Sequence, residues 1–244
     1  MSFSPEPPSL MGANSIQEQR ERWDRKRSRT ARELVQTEQH YCHQLELVST
    51  FFVEILRAKG TLKQDIRDAI FSSIKDIQSV NQSLLVHLEN GYLGQGLDKF
   101  CSHLDHYSKY VDNIYNAKKV LEIQLKKNKA FRRFKKLQEA RPEFKDQKLE
   151  DLLQTPVQRI LQYNHFLQDL TANTSPDDPE FEQLSKAVAA VMAAGRWYIR
   201  EGWLKTVPPK GTEAKPKMFF LFSDMLLQAK HCSLLLPSSG EKFV

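Results

Sequence analysis

The chain has 244 residues, enough for one helical domain and part of a second, with 40% hydrophobic and 27% charged residues. Nine scattered glycines argue against a glycine-rich phosphate loop, and an odd number of well-separated cysteines (Cys42, Cys101, Cys232) argues against a disulfide framework. No stretch reaches the ~20 apolar residues of a membrane span, and the first residues lack a basic leader, so we expect a cytoplasmic protein with reduced thiols. The formal net charge of +6 favours anionic partners: phospholipid, nucleic acid or an acidic protein surface.

The N-terminal part of the chain predicts one very long helix. Residues 1–14 are rich in proline and serine and are expected to be disordered. Ser15 followed by Glu18 has the form of a capping box, so the helix is predicted to run from Ser15 to about Lys59 and to end at Gly60. Its buried stripe is predicted to be Leu34, Tyr41, Leu45, Val48, Phe52 and Ile55. At ~1.5 Å per residue the helix is on the order of 60 Å long, which requires an elongated domain.

Two helical segments follow, at about 62–89 and 96–126, and then the densest basic run of the chain, 126–136. The simpler interpretation of this run is a solvated helix face with Phe131 and Phe134 packed inward. The alternative is a patch that binds an anionic membrane surface. A nucleic-acid interface ranks below both, because no base-reading motif accompanies the charge. The candidate membrane residues are Lys126, Lys127, Arg132, Arg133, Lys135 and Lys136.

Residues 149–170 predict an amphipathic helix with an unusual polar side. Its apolar residues, at helical spacing, are Leu149, Leu153, Val157, Ile160, Leu167 and Leu170. The opposite side carries an amide-rich stripe made of Gln154, Gln158, Gln162, His165 and Asp169. Pro156 lies inside this pattern, where it removes a backbone donor and is expected to bend or loosen the helix.

The C-terminal part changes from helical to strand-like periodicity. Asp178-Pro179-Glu180 is a strong helix start, and the helix is predicted to run to about Arg200. Residues 201–244 then predict two or three strands and a loosely ordered, divergent tail. Cys101, His103 and His106 fit no zinc-ligand spacing, and no nucleophile–base set is recognisable, so neither a metal, a cofactor nor covalent catalysis is expected.

Two segments carry a resemblance to a known family. Leu-Leu-Gln-Thr-Pro-Val-Gln-Arg-Ile-Leu-Gln-Tyr at 152–163 resembles the third conserved region of Dbl-homology domains, the exchange-factor module for Rho-family GTPases. Residues 33–45 resemble the first conserved region, and 100–113 resemble the second more weakly. The resemblance covers residues 15–200 and implies an all-α, elongated helical bundle. Residues from 201 resemble the start of a pleckstrin-homology domain that is incomplete.

The resemblance implies a guanine nucleotide exchange factor that promotes GDP release from a GTPase of the Rho, Rac or Cdc42 branch. Glu33 matches the family glutamate that bonds to the GTPase loop near Mg²⁺ and nucleotide, and Gln158 matches a glutamine that contacts the second mobile loop. Arg159 has two open readings: a contact residue, or an inward brace between helices. The candidate GTPase-binding residues are Glu33, Gln154, Gln158, Arg159, Gln162 and Ile199.

Two of these candidates depart from the family pattern. Gln162 stands where many members have a basic residue, and Ile199 stands where they have an asparagine near the end of the last helix. Both departures predict weak exchange or a narrow GTPase preference. The alternative function is a helical scaffold or membrane-surface adaptor without exchange activity, cytoplasmic and peripheral at the plasma membrane. Nucleic-acid binding is not expected.

Overall fold

The computed structural model describes residues 10–207, 215–229, 231–232 and 242–243 of the chain. The chain divides into two compact units, a helical unit that ends at Gly195 and a β unit that begins at Arg196. The predicted all-α bundle followed by a β fragment is therefore confirmed. Residues 1–14 were predicted to be disordered: 1–9 lie outside the described residues, and the prediction is wrong for 10–14, which are helical. Most of the predicted divergent tail, residues 230, 233–241 and 244, also lies outside the described residues.

The helices follow one another with short connections. Their bounds are α1 Leu10–Val48, a π-helical segment Ser49–Glu54, α2 Ile55–Lys59, α3 Gln64–Phe71, α4 Ile74–Glu89, α5 Leu93–Cys101, α6 Asp105–Lys127, α7 Lys129–Glu139, a 3₁₀ turn Pro142–Phe144, α8 Leu149–Ala172 and α9 Pro179–Ala194. Helix α1 packs against both α4 and α8, so it forms one side of the bundle over much of its length. No helix within these ranges combines the length and apolar character that crossing a membrane would require.

The first helix begins earlier than its sequence signals predict. The described chain is already helical at Leu10, so the predicted boundary at Ser15 is wrong and Ser15 lies inside the helix. No proline occurs between Pro8 and Ser15, so none of the residues between them lacks the backbone N–H that a helix requires. The predicted end is confirmed, because Gly60 follows Lys59 with φ 61°, a left-handed conformation that glycine adopts without strain.

The π-helical segment changes the predicted buried stripe at its end. Leu34, Tyr41, Leu45 and Phe52 are buried as predicted. Ile55 is only half-buried, and Leu56, next to it, is fully buried instead. A π turn inserts an extra residue into the helical repeat, which shifts the positions that face the core.

Aromatic side chains fill the core where α7 meets the π-helical segment. The ring of Phe52 meets those of Phe134 and Phe144 edge to face, at centroid distances of 5.8 and 5.7 Å. Phe131 and Phe134 are both buried, which confirms the prediction that the two phenylalanines of the basic run face inward. Burying a side chain of this size contributes about 1.5–3 kcal/mol.

Helix α8 continues through Pro156 because neighbouring groups compensate for the proline. The missing N–H leaves the carbonyl of Leu152 without its usual helical donor. The hydroxyl of Thr155 donates to this oxygen at 2.7 Å. The hydroxyl of Tyr110, from α6, donates to the next carbonyl, that of Leu153, at 2.8 Å. The proline turn is therefore held by two side-chain hydroxyl groups.

The last helix starts as predicted and ends earlier. The carboxylate of Asp178 accepts a hydrogen bond from the backbone N–H of Glu180 at 2.8 Å, which confirms the cap. The helix ends at Ala194, so the prediction that it reaches Arg200 is wrong. Gly195 follows it, and a Cβ at this glycine would lie 3.2 Å from Cγ2 of Ile160, so only glycine fits without a shift.

The β unit contains the strands that the alternating pattern predicts. Strands β1 Tyr198–Thr206, β2 Lys215–Phe222 and β3 Leu226–Ala229 form an antiparallel sheet in that order. Two short strands, β4 His231–Cys232 and β5 Lys242–Phe243, pair separately. The guanidinium of Arg196 holds the carboxylate of Asp224 through both of its oxygens, at 2.9 and 3.1 Å from Nε.

Candidate functional site

A polar groove runs along the line where α1 packs against α8. Two adjoining hollows of about 400 and 410 Å³ make up this α1–α8 groove. The first is lined by Thr30, Glu33, Thr37, Gln162, His165, Phe166 and Asp169. The second is lined by Gln36, Thr37, His40, Tyr41, Gln44, Thr155, Gln158, Arg159 and Gln162. Both hollows include Thr37 and Gln162, so the groove is continuous.

Three of the predicted site residues lie in this groove and are exposed. Glu33 lines the first hollow, Gln158 lines the second, and Gln162 lines both. The carboxylate from α1 and the two amides from α8 therefore face the same surface, although about 125 residues separate the segments in sequence. Gln154 is half-buried and lies one helical turn before Gln158, outside both hollows.

Ile199 does not lie where the sequence comparison put it. The expectation that it ends the last helix is wrong, because that helix stops at Ala194 and Ile199 lies in strand β1 of the β unit. Its side chain is 48% exposed. The chain changes from helix α9 to strand β1 within residues 195–197, so Ile199 falls in the strand.

A buried polar cluster lies directly beneath the groove. Its central group is the carboxylate of Glu38, on α1, which is wholly buried. One oxygen accepts hydrogen bonds from Nη2 of Arg159 at 2.6 Å and from the hydroxyl of Tyr163 at 2.6 Å. The other accepts from the side-chain amide of Asn81, on α4, at 2.8 Å. Tyr107, on α6, donates to the amide oxygen of Asn81 at 2.9 Å, so the cluster joins α1, α4, α6 and α8.

Arg159 belongs to this cluster and not to the exposed surface. Arg159 is only 2% exposed and reaches the groove only at the wall of the second hollow, which favours its interpretation as an inward brace between helices over that of a GTPase-contact residue. Burial opposes the charge of the guanidinium, but Tyr163 and Glu38 more than compensate and raise the pKa of Arg159 overall. The guanidinium also lies 4.6 Å from the ring centre of Tyr163, in a cation–π contact.

The cluster is connected to the groove through Arg159. Its Nη1 donates to the side-chain oxygen of Gln162 at 3.1 Å and to the hydroxyl of Thr37 at 3.0 Å. That hydroxyl in turn donates to the backbone carbonyl of Glu33 at 2.9 Å. The buried arginine therefore fixes the amide of Gln162 and the helical turn that carries Glu33.

Burial has shifted the pKa values of the tyrosines around the cluster. Desolvation is the main cause, and it raises the pKa of Tyr41, Tyr107 and Tyr163 well above the usual range. The negative charge of Glu38 raises all three further. These phenols are therefore neutral donors at physiological pH, as the hydrogen bonds to Glu38 and Asn81 require.

Glu38 and Asn81 were not predicted as important residues, although the sequence contains a signal for Glu38. Glu38 lies between Leu34 and Tyr41 at spacings of four and three, on the predicted buried stripe. A carboxylate at a core position requires a buried partner. No comparable signal identifies Arg159 as that partner, because 121 residues separate the two.

Most of the predicted basic patch is exposed, and one member is not. Lys126, Lys127, Arg132, Arg133 and Lys136 are exposed. Lys135 faces inward, so its assignment to the patch is wrong.

The reason for this difference is that Lys135 is paired with two carboxylates. Its ammonium group lies 2.7 Å from Glu139 and 2.8 Å from Glu150. Burial opposes its charge, but the hydrogen bonds that the ammonium group donates to the two carboxylates raise the pKa of Lys135 overall. Within the described ranges, no group of His, Cys, Asp or Glu residues has the arrangement of a metal site.

Comparison with known proteins agrees with this geometry. The model of the RhoGEF domain matches residues 30–195, which include all of α8 and the part of α1 that lines the groove. The chain therefore belongs to the RhoGEF domain family, the family that the two conserved segments predict.

Two of the similar proteins are mammalian exchange factors with the same name. The chain is 45% identical over 249 residues to Rho guanine nucleotide exchange factor 39 of Bos taurus, with 88% of this chain and 74% of that protein covered. The protein of the same name in Homo sapiens is 44% identical with the same coverage.

Solved structures with the same fold include two exchange factors. A structure of the Vav1 exchange factor has a TM-score of 0.62 at 22% identity and covers 91% of this chain and 68% of that one. The DH/PH domain of human ARHGEF11, solved in a ternary complex with human RhoA and its inhibitor, has a TM-score of 0.61 at 14% identity, with 84% and 74% covered. At these identities the likeness establishes the fold alone.

Proposed function

We propose that the α1–α8 groove binds the nucleotide-free form of a Rho-family GTPase and so accelerates GDP release. The observation that carries this proposal is the placement of Glu33, Gln158 and Gln162 in one exposed groove of a chain that belongs to the RhoGEF family. The ARHGEF11 domain, which has the same fold, was solved together with RhoA.

The groove offers one negative charge and two amides to a partner. Glu33 accepts hydrogen bonds or pairs with a cation, and an amide both donates and accepts across a flat interface. Arg159 occupies the side-chain oxygen of Gln162, which leaves the NH₂ group of that amide to donate to the GTPase. Because the buried cluster holds the amide of Gln162 and the helical turn of Glu33 before binding, less conformational entropy is lost on association.

Exchange then follows from coupling between two ligands of the GTPase. Its mobile loops hold GDP and Mg²⁺, and the groove is complementary to a loop arrangement that no longer holds them. Each ligand weakens the binding of the other by the same factor, since linkage is reciprocal. GDP therefore leaves faster when the exchange factor is bound, and the incoming nucleotide displaces the exchange factor.

The chain contributes binding energy to this reaction and no chemical group that reacts. GDP departs intact and GTP enters because it is abundant, so the direction of exchange is set by nucleotide concentration. Of the two departures from the family pattern, only Gln162 lies on this surface. Gln162 replaces a charge with an amide, which removes one source of electrostatic attraction and favours a slower or more selective factor.

The test is the release of fluorescent GDP from GTPases of the Rho, Rac and Cdc42 branches. The wild-type chain should accelerate release from at least one of them, and Glu33→Ala should abolish the acceleration. Glu46→Ala is the matched control, because Glu46 is also exposed on α1 but lies outside the groove. Loss of activity in both variants, or in neither, would refute the assignment of Glu33.

A further inference from the structure

The outer face of α7 is almost entirely cationic. Lys129, Arg132, Arg133 and Lys136 are all exposed and lie at spacings of three, one and three, on one side of the helix. Lys126 and Lys127 end α6 just before it. Asn128 joins the two helices, and its side-chain oxygen accepts from the N–H of Phe131 at 2.9 Å, so the start of α7 is capped.

The local carboxylates do not neutralise this face. Glu139 and Glu150 are both bound to the inward-facing Lys135. Glu122 and Glu143 are exposed and flank the run in sequence, but within the described residues neither forms an ion pair. Glu139 and Glu150 are therefore paired with Lys135 and do not neutralise the outer cations.

This face carries a charge equal to that of the whole chain. The six exposed cations are Lys126, Lys127, Lys129, Arg132, Arg133 and Lys136. The formal net charge of the chain is +6, from 36 basic and 30 acidic residues, so the remaining residues sum to zero. Residues 126–136 contain no acidic residue, so these cations produce a strong local positive field where α6 meets α7.

An exposed apolar side chain lies next to these cations. Leu137 is 60% exposed and follows Arg133 by one helical turn. Arg141 follows Leu137 by a further four residues and is also exposed. An exposed leucine one turn from Arg133 is unfavourable in water, but it suits a surface that is anionic outside and apolar just beneath.

We infer that the outer face of α7 binds an anionic phospholipid surface, with the cations at the headgroups and Leu137 inserted between them. A nucleic acid would meet the same charges. Single-stranded nucleic acid would also need exposed rings for base stacking, and both aromatic residues of the run, Phe131 and Phe134, are buried. The inference does not depend on the exchange activity, because α7 contributes no residue to the α1–α8 groove.

The test is co-sedimentation of the full chain with vesicles of phosphatidylcholine alone or with about one-third phosphatidylserine. We expect binding only to the anionic vesicles, and weaker binding when salt is raised well above about 0.1 M. Arg133→Gln with Lys136→Gln should lower binding about thirtyfold, since each basic residue near an anionic leaflet contributes about 1 kcal/mol. Leu137→Ser should lower it roughly tenfold.

The matched control is Arg22→Gln with Lys26→Gln, which removes two exposed charges from α1. It should bind anionic vesicles as the wild type does. Vesicle binding that the α7 variants do not weaken, or that the control weakens equally, would overturn the inference. So would equal binding to neutral vesicles, or retention on duplex DNA without binding to vesicles. The α7 variants should keep the helical circular dichroism and the GDP-release rate in solution of the wild type, which separates this result from failure of the groove.

Discussion

Two glutamates on α1, Glu33 and Glu38, meet opposite environments. Glu33 lies in the exposed groove, where water solvates its carboxylate. Glu38, five residues later, is fully buried and is held by Arg159, Tyr163 and Asn81. The comparison separates two environments of a charge: one carboxylate stays exposed to solvent, and the other is fully paired within a cluster that joins four helices.

The difference also explains why the groove can be rigid although its residues are exposed. Surface glutamines ordinarily rotate freely, and holding one in place costs side-chain entropy. Here Arg159 reaches from the buried cluster to Gln162 and Thr37, and Thr37 reaches the backbone of Glu33. The buried region therefore orients the exposed one.

The largest effect is expected when one partner of the buried pair is removed. Glu38→Ala should lower the free energy of unfolding by about 3–5 kcal/mol, because it leaves the guanidinium of Arg159 buried without a counter-charge. Urea unfolding followed by circular dichroism measures this. The double variant Glu38→Leu with Arg159→Met removes both charges and should be more stable than Glu38→Ala. A single variant as stable as the wild type would show that the pair does not support the fold.

Glu33→Ala should separate binding from stability. Truncating one partner of a charged interfacial pair costs about 2–5 kcal/mol of binding free energy, or roughly 30- to several-thousand-fold in affinity for the nucleotide-free GTPase. The free energy of unfolding should change by less than about 0.5 kcal/mol, since the side chain is exposed. Calorimetric titration and urea unfolding of the same preparation give both values. A large loss of stability would mean that Glu33 supports the fold as Glu38 does.

Alkaline pH should lower the free energy of unfolding through the buried tyrosines. The pKa values of Tyr41, Tyr107, Tyr110 and Tyr163 are raised chiefly by burial. A raised folded-state pKa means that stability is fully present below the unfolded-state value, about 10, and is lost as pH rises above it. The loss is up to about 1.4 kcal/mol per pH unit for each tyrosine.

The measurement is the urea midpoint as pH is raised from 8 to above about 10, together with tyrosinate absorbance. Ionisation of these four phenols should coincide with unfolding. Their ionisation in a chain that keeps its helical circular dichroism would contradict the account of the buried cluster.

The smallest effect concerns a single amide of the groove. Gln158→Ala should weaken binding of the nucleotide-free GTPase by about 1 kcal/mol, roughly fivefold, which is the net contribution of one hydrogen bond. The initial rate of fluorescent GDP release at limiting exchange factor measures it. His43→Ala is a suitable control, because His43 is exposed on α1 outside the groove. An unchanged rate for Gln158→Ala would remove this amide from the contact surface.

Features with a local cause could be predicted from the sequence. Gly60 ends its helix and Asp178 caps another because their chemistry acts on adjacent residues. The exposed side of α8 follows from helical spacing alone, and so does the inward position of Phe131 and Phe134. Recognition of the two conserved segments then placed Glu33 and Gln158 on a common surface.

Features with a distant cause could not be predicted. The end of α9 at Ala194 was missed, and Ile199 was misplaced as a result. The close approach of Gly195 to Ile160 on α8 is a contact that no local pattern shows. Lys135 was counted with the outer cations because its partner Glu150 lies on another helix. Arg159 could not be assigned between contact and brace until the burial of Glu38 was known.

The most direct test of the central claim compares the affinity of the chain for one GTPase in two states, nucleotide-free and loaded with GDP and Mg²⁺. Linkage requires the nucleotide-free form to bind more tightly by the factor with which the chain weakens GDP binding. We expect a preference of at least about a hundredfold, or 2.7 kcal/mol, in the wild type. We expect most of it to be lost in Glu33→Ala. Equal affinity for the two states would contradict the account, because a surface that does not distinguish them cannot release GDP.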